Sequence, residues 1–184
     1  MPRTPVRLVT DRLLVREVTP RQASAVARFL ERNRRYHSPW EPTRHPSYFT
    51  TEQQRRILRR TRRDGVNRLL FLFDRDDPGE IIGSVTFSNI VRGAFQSCYL
   101  GYRLDETRVG TGLMREALIA AIRYMFQMEG LHRIEANVMP HNDRSVRLLQ
   151  RLGFRNEGRA QRYLNIQGRW EDHDHYVMLA EEWP

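Results

Sequence analysis

Apolar residues recur along this chain with two different periods, and the alternation between them lays out the elements. Leu13, Leu14 and Val15 form a run flanked by arginines, which predicts a strand over Thr10 to Val18 after a short tail. Pro20 opens a helix from Arg21 to about Asn33, with Ala23, Val26, Ala27 and Leu30 on one face. His37-Ser38-Pro39-Trp40-Glu41-Pro42 is a loop punctuated by prolines. Thr50 or Thr51 caps a second helix running to Arg63, and Asp64-Gly65 ends it. Leu69 to Phe73 and Ile81 to Asn89 read as strands around an Asp76-Asp77-Pro78-Gly79 turn, and a third strand, Gln96 to Leu104, follows Arg92-Gly93. A long helix covers Gly112 to about Met128: Met114, Ala117, Leu118, Ala121, Ile122, Met125 and Phe126 sit three and four apart. His132 to Met139 is a strand, and Asn142 or Asp143 caps a helix that stops at Gly153. Phe154 to Ile166 and Trp170 to Leu179 close the chain as a hairpin around Gln167-Gly168. The order is βααβββαβαββ, an α/β (α+β) pattern. No repeat, low-complexity segment or linker divides it, so 1–184 reads as a single domain with a substantial core.

The chemistry begins at Arg108-Val109-Gly110-Thr111-Gly112-Leu113, between a strand and the long helix. A glycine-containing loop that opens a helix presents free N–H groups at the positive end of the helix dipole, a cradle for phosphate. Gly110 and Gly112 would allow a sharp turn and a close approach of the phosphate. No Gly-Lys-Ser/Thr follows, which excludes a Walker A loop. Arg115 stands where the dinucleotide fingerprint needs its third glycine.

Charge and cysteine usage narrow the setting. The net charge is +9, and every basic side chain other than histidine is an arginine. Arginine matches phosphate and carboxylate geometry in a fixed fork. Arg55, Arg56, Arg59, Arg60, Arg62 and Arg63 crowd the second helix: either a solvated face, or a footprint for an acidic partner such as ribosomal RNA. No run of eighteen apolar residues exists, so no membrane span is expected. Met1-Pro2-Arg3-Thr4-Pro5 lacks the apolar segment of a signal peptide. Cys98, the one cysteine, reads as a buried, inert thiol, and both features fit the cytoplasm. Asp172-His173-Asp174-His175 alternates along a strand, placing histidines on one face and aspartates on the other, so four ligands converge poorly and no metal is expected.

Strand, R-V-G-T-G-L-M, helix, strand, N-D-R-S helix and L-G-F, in that order, resemble the GNAT family of acetyl-CoA-dependent N-acetyltransferases. Further runs resemble its RimJ-type, ribosomal-protein-alanine branch: T-D-R-L (10–13), P-W-E-P (39–42), E-I-I-G (80–83), F-S-N-I-V-R-G (87–93), C-Y-L-G-Y (98–102), G-L-M-R-E-A-L (112–118), A-I-R-Y-M (121–125), H-R-I (132–134), M-P-H-N (139–142) and E-G (157–158). They cover nearly the whole chain. The resemblance implies a mixed, twisted sheet splayed at its centre, between strands ending near Leu104 and Met139, with helices on both faces. Acetyl-CoA would enter the splay. Its pantetheine amides would pair with the strand edge at Tyr102, Arg103 and Leu104, and its pyrophosphate would rest on Arg108, Val109, Gly110, Thr111, Gly112 and Leu113. Asn142 would hold the pantetheine arm, or cap its helix, or both.

The resemblance also implies amide formation at an N-terminal α-amine, whose ordinary pKa of about 8 leaves modest work for a base. A backbone N–H near Tyr102 is the candidate oxyanion donor. Where RimI-type relatives carry a glutamate this chain has Asn137, where they carry a tyrosine it has Leu149, and where RimL-type relatives carry a glutamate it has Arg162. The RimL-type serine does match, as Ser145, and is expected near the thiol sulfur; it could equally be an ordinary first-turn serine. For the base, Glu41 is favoured, with Glu135 and Glu106 as alternatives. Trp40, Glu41 and Tyr99 are expected to line the acceptor pocket.

The implied acceptor is a ribosomal protein beginning with Ala or Ser, and the ribosome could be contacted through the arginine-rich helix. Two other functions fit the same residues: acetylation of a small amine, and ribosome or RNA binding around a vestigial acetyl-CoA site. Monomer and homodimer are both open.

Overall fold

The computed structural model describes residues 4–184; the start of the tail, Met1 to Arg3, lies outside the described residues. Eight strands form one sheet in the order β1-β2-β3-β4-β5-β6-β8-β7. These are β1 (Arg7–Val9), β2 (Leu13–Arg16), β3 (Arg68–Asp74), β4 (Ile81–Val91), β5 (Ser97–Leu104), β6 (Arg133–Val138), β7 (Arg155–Ile166) and β8 (Arg169–Leu179). The helices are α1 (Ala23–Arg32), α2 (Arg34–His37), α3 (Thr51–Asp64), α4 (Leu113–Gln127) and α5 (Asp143–Arg151).

The strand expected over Thr10 to Val18 is present as the shorter β2, and the stretch expected to be tail adds β1, making a small hairpin. Thr10 Oγ1 and its backbone N–H bond around Leu13, folding β1 back on β2. The proline-rich loop is likewise partly helical: α2 continues α1 after Asn33, and Ser38–Trp40 adds a 3₁₀ turn.

Two apolar clusters sandwich part of the sheet. On one face Leu70, Leu72, Val85, Phe87, Ile134 and Met178 pack against Ala117, Leu118, Ile122 and Met125 of α4 and Leu149 of α5. On the other, Phe71, Phe73 and Ile81 meet Val26, Phe29 and Leu30 of α1 and Leu58 of α3. This second layer covers only the β2–β4 half. Over β5, β6 and β8 the same face carries Ser97, Tyr99, Arg103, Glu135, Asn137, His173 and His175, in keeping with the lack of an apolar helix layer there.

Every neighbouring pair is antiparallel except β5 and β6. Their parallel pairing covers only Ser97↔Arg133, Cys98↔Ile134 and Tyr99↔Glu135. β5 continues to Leu104 and β6 to Val138 without pairing to each other, and the sheet splays there.

Candidate active site

The splay opens a groove of about 1040 Å³. One wall is the free part of β5, Gly101 to Leu104; the opposite wall is Ala136 to Val138 of β6, continuing through Met139 to Asn142 and Ser145. β5 is held in place from behind by a close approach. A Cβ on Gly83 would lie 2.8 Å from the Arg103 carbonyl oxygen, so β4 needs glycine at that point.

At one end the groove meets Val109, Gly110 and Gly112. Gly110 and Gly112 have φ of 82° and 80°, the left-handed region that glycine enters without strain. Gly112 is the N-cap of α4 and has no side chain to close the helix end. The amides of Leu113, Met114 and Arg115 therefore have no intrahelical acceptor; the first such bond is Glu116 N–H to the Gly112 carbonyl. Thr111 Oγ1 donates to the Arg108 carbonyl at 2.6 Å and closes the loop. Arg12 adds a support that sequence reasoning missed. Its Nη1 donates to the Thr111 carbonyl at 3.0 Å, and its Nε meets Glu116 Oε2 at 2.7 Å. The signal was present in T-D-R-L, but only the β1–β2 hairpin brings that run beside the loop. Leu113 turns its side chain into the core, leaving its N–H as the only group it can offer. Arg108 and Glu106 are exposed and do not line the groove.

The loop is anchored at its root by Asp105. This buried carboxylate accepts from Arg32 Nε at 2.8 Å, Asn33 Nδ2 at 3.1 Å, Thr107 N–H at 3.1 Å and Thr107 Oγ1 at 2.8 Å. Burial alone would raise its pKa, but these donors outweigh it and hold the carboxyl at about 2. His37 ties α2 to the same corner: Nε2–H donates to the Leu104 carbonyl at 2.9 Å, so that edge carbonyl already has one partner.

Along the opposite wall, Asn142 Oδ1 accepts the Ser145 N–H at 3.3 Å and caps α5. Among the described residues its Nδ2 amide has no partner, so capping and ligand binding can coexist. Ser145 faces the groove half-buried, with its hydroxyl uncommitted; Tyr102 Oη donates to its carbonyl at 3.5 Å. Burial pushes the Tyr102 phenol up to about 12, so it stays protonated. Two contacts bridge the groove from α2 and the turn after it: the Trp40 ring lies 5.6 Å from His141, and Tyr36 Oη accepts from Arg144.

Two carboxylates expected to act as bases are already engaged. Glu41 reaches the groove, but both its oxygens are held by Arg103, through Nε and, at 2.8 Å, through Nη2. The bidentate guanidinium pair commits both oxygens of Glu41 to positioning Arg103. Glu135 lies below the splay, at the last β5–β6 pair, and is bound by Arg133 Nε at 2.8 Å and Ser97 Oγ at 3.5 Å. It does not line the groove. Tyr99, its partner in register, is 36% exposed on the uncovered face and also stands outside the groove.

On that face the structure gathers a group that the sequence did not reveal. Asn137 donates through Nδ2 to Tyr163 Oη at 3.2 Å. The Tyr163 ring lies 5.6 Å from His173 and 4.9 Å from His175. A bulge in β7 produces this: between Ala160↔His173 and Leu164↔Glu171 the strand has extra residues, and Arg162 takes φ 49°. The aspartates of the alternating run are engaged elsewhere, Asp172 with the Arg162 N–H and Asp174 with Arg159. Among the described residues no three His, Cys, Asp or Glu side chains form a metal-binding group.

The acetyltransferase (GNAT) domain family matches residues 12–155. The chain is 47% identical over 181 residues to the [ribosomal protein uS5]-alanine N-acetyltransferase of Escherichia coli, spanning 97% of this chain and 93% of that protein. The crystal structure of ribosomal-protein-S5-alanine acetyltransferase from Vibrio fischeri superposes with a TM-score of 0.89 at 35% identity, over 97% of this chain and 99% of that one. Mycobacterium smegmatis RimJ, solved in complex with CoA-disulfide, superposes at 0.87 with 31% identity, over 100% of this chain and 90% of that one.

Proposed function

The chain belongs to the GNAT acetyltransferase family, and on that premise we propose that it transfers acetyl from acetyl-CoA to the α-amine of a ribosomal protein whose N-terminus is Ala or Ser. One observation carries the reading: β5 and β6 stop pairing at Tyr99↔Glu135 yet both run on, leaving a groove that ends at an uncapped helix.

Acetyl-CoA fits the residues present. The unpartnered amides at the start of α4, with Gly110 in a left-handed turn, suit a pyrophosphate, and Arg115, Arg147 and Arg151 line the groove to balance its charge. The free edge at Gly101 to Leu104 suits the pantetheine amides, and Asn142 Nδ2 is available to a carbonyl. A backbone N–H of that edge, near Tyr102, supplies the oxyanion donor. The uncommitted hydroxyl of Ser145 lies on the wall where the thiol would leave, and can hydrogen-bond the departing sulfur.

The acceptor side favours a chain end over a small cation. Glu41 is neutralised by Arg103, so the wall there carries no free negative charge, and the uncovered half of the sheet face leaves room for an extended peptide. Ribosome contact is supported by α3, where Arg56, Arg59, Arg60, Arg62 and Arg63 are exposed and, among the described residues, Glu52 alone forms ion pairs with this run. Among the described residues no helix is long and apolar enough to cross a membrane, and the reading sets the reaction in the cytoplasm, beside the ribosome.

The test is acetylation of synthetic peptides beginning Ala or Ser, read by mass spectrometry, with the same peptides blocked at the N-terminus as controls. Product on the free α-amine alone is expected. Turnover confined to polyamines or other small amines rejects the reading.

A further inference from the structure

The carboxylates expected to serve as base are occupied, yet the uncovered sheet face holds polar atoms with nothing to bind. Among the described residues, Asn137 Oδ1 and His175 Nε2 are buried and have no hydrogen-bond partner. Asn137 and His175 are cross-strand partners, two residues beyond the last β5–β6 pair. An acceptor oxygen buried without a donor is costly, and a ligand N–H can supply the missing partner.

His173 completes the arrangement. It is 4% exposed and lines the groove together with Asn137. Its Nδ1 lies 3.1 Å from the Glu171 carbonyl oxygen. A carbonyl can only accept, so Nδ1 carries the hydrogen and Nε2 carries the lone pair.

Resting on the acetyl-transfer reading above, we propose that Asn137 and His173 form the acceptor-amine site: Asn137 Oδ1 receives an N–H of the incoming α-amine, and His173 Nε2 is the general base. Tyr163 is the positioning residue, its hydroxyl holding Asn137 and its ring packed between the two histidines.

The proton balance closes. The acceptor arrives as an ammonium, and His173 Nε2 takes one proton, freeing the nitrogen lone pair. That pair forms the C–N bond at the thioester carbonyl while the C=O pair moves onto oxygen. The oxygen pair returns, the C–S bond breaks and its electrons leave on sulfur. The second nitrogen proton goes to sulfur. The products are amide, thiol and an imidazolium that releases its proton to water.

The surroundings favour a neutral imidazole. Burial holds His173 below the ordinary histidine value, and His175 adds to this, while Glu171, the Glu171 carbonyl and Asp172 pull the other way. Asn137 and Glu135 face this region from β6, Tyr163 from β7, and Tyr99 and the Arg103–Glu41 pair from β5 and the α2 turn. Glu135 and Glu41 are each tied to an arginine, so no unpaired carboxylate from those elements competes for the proton.

The experiment has two arms on the full chain. In the wild type, ¹⁵N-histidine NMR at pH 7 should show His173 as the neutral Nδ1–H tautomer; an Nε2–H tautomer or an imidazolium overturns the proposal without any variant. In the second arm, His173→Gln and Asn137→Ala are assayed with an Ala-peptide and titrated with CoA. His173→Gln should lower kcat at least hundredfold at pH 7. It should also replace the histidine limb of the wild-type pH profile with a tenfold rise per pH unit. Asn137→Ala should raise KM for the peptide tenfold or more. Kd for CoA should stay within twofold in both. A His173→Gln variant that binds CoA and keeps kcat within threefold sinks this inference while leaving acetyl transfer intact. A wild type that acetylates no N-terminal amine removes the reading beneath it as well.

Discussion

Replacing Asp105 by asparagine keeps the shape of the side chain and removes the charge on which four donors converge. The carboxyl is held at about 2 against an ordinary 3.8, a difference worth about 2 kcal/mol of stability at neutral pH. The side chain itself is 4% exposed, but its arginine partner reaches solvent, so that figure is an upper value for the charge alone. Arg32 is 40% exposed, and the greater share belongs to Asn33 and Thr107. The substituted amide would also turn an N–H₂ toward those donors, so the total loss at pH 7 should fall in the range of about 2–4 kcal/mol. The pH dependence has a definite sign. A depressed carboxyl stabilises above its unfolded pKa, and the contribution fades as pH falls through the folded one. About half of it should survive at pH 3. Urea unfolding of both proteins between pH 7 and pH 3 measures the difference directly. Because Asp105 roots the loop leading to Gly110, CoA affinity should drop several-fold in parallel. A gap below about 0.5 kcal/mol at pH 7, or one that stays constant with pH, would refute the assignment of the carboxylate as the charged anchor of that loop.

Other expectations follow from single contacts. Gly83→Ala should cost about 1–3 kcal/mol, since the new methyl meets a backbone oxygen that can move only by shifting β5; unchanged urea midpoints would contradict the close approach. Gly110→Val should lose CoA affinity tenfold or more in calorimetry, because φ 82° strains a β-branched residue and the loop must re-form; wild-type affinity would mean that loop does not carry the phosphates. Glu41→Gln should raise KM for the peptide while leaving CoA binding alone, and a matching loss in both would place Glu41 elsewhere in the mechanism. Burial pushes the Cys98 thiol up to about 12, so the native protein should resist iodoacetamide at pH 8 and react only on unfolding; labelling within minutes would show the site to be open.

Most elements were legible because periodicity reports burial, and α4, β6 and α5 are amphipathic enough to settle their own limits. The sharp turn at the loop was legible too, since Gly110 and Gly112 both take left-handed conformations. What stayed hidden were pairings that close over long stretches of chain. Glu41 reads as a loop carboxylate until Arg103, 62 positions away, claims both its oxygens. Arg12 reads as a strand flank until the hairpin sets it under Thr111. Tyr163 stands just after a bulge at Arg162, which changes the simple alternation that a regular β7 would impose. The two histidines were correctly set on one face. Their meeting with Asn137 depended on the β6–β8 register, which no local pattern encodes.

The half of the sheet that no helix roofs has a consequence for timing. On the proposed reading, an end that reaches His173 would cross that open floor as an extended strand of polypeptide. Acetylation would then be set by when the recipient's first residues are loose enough to lie flat.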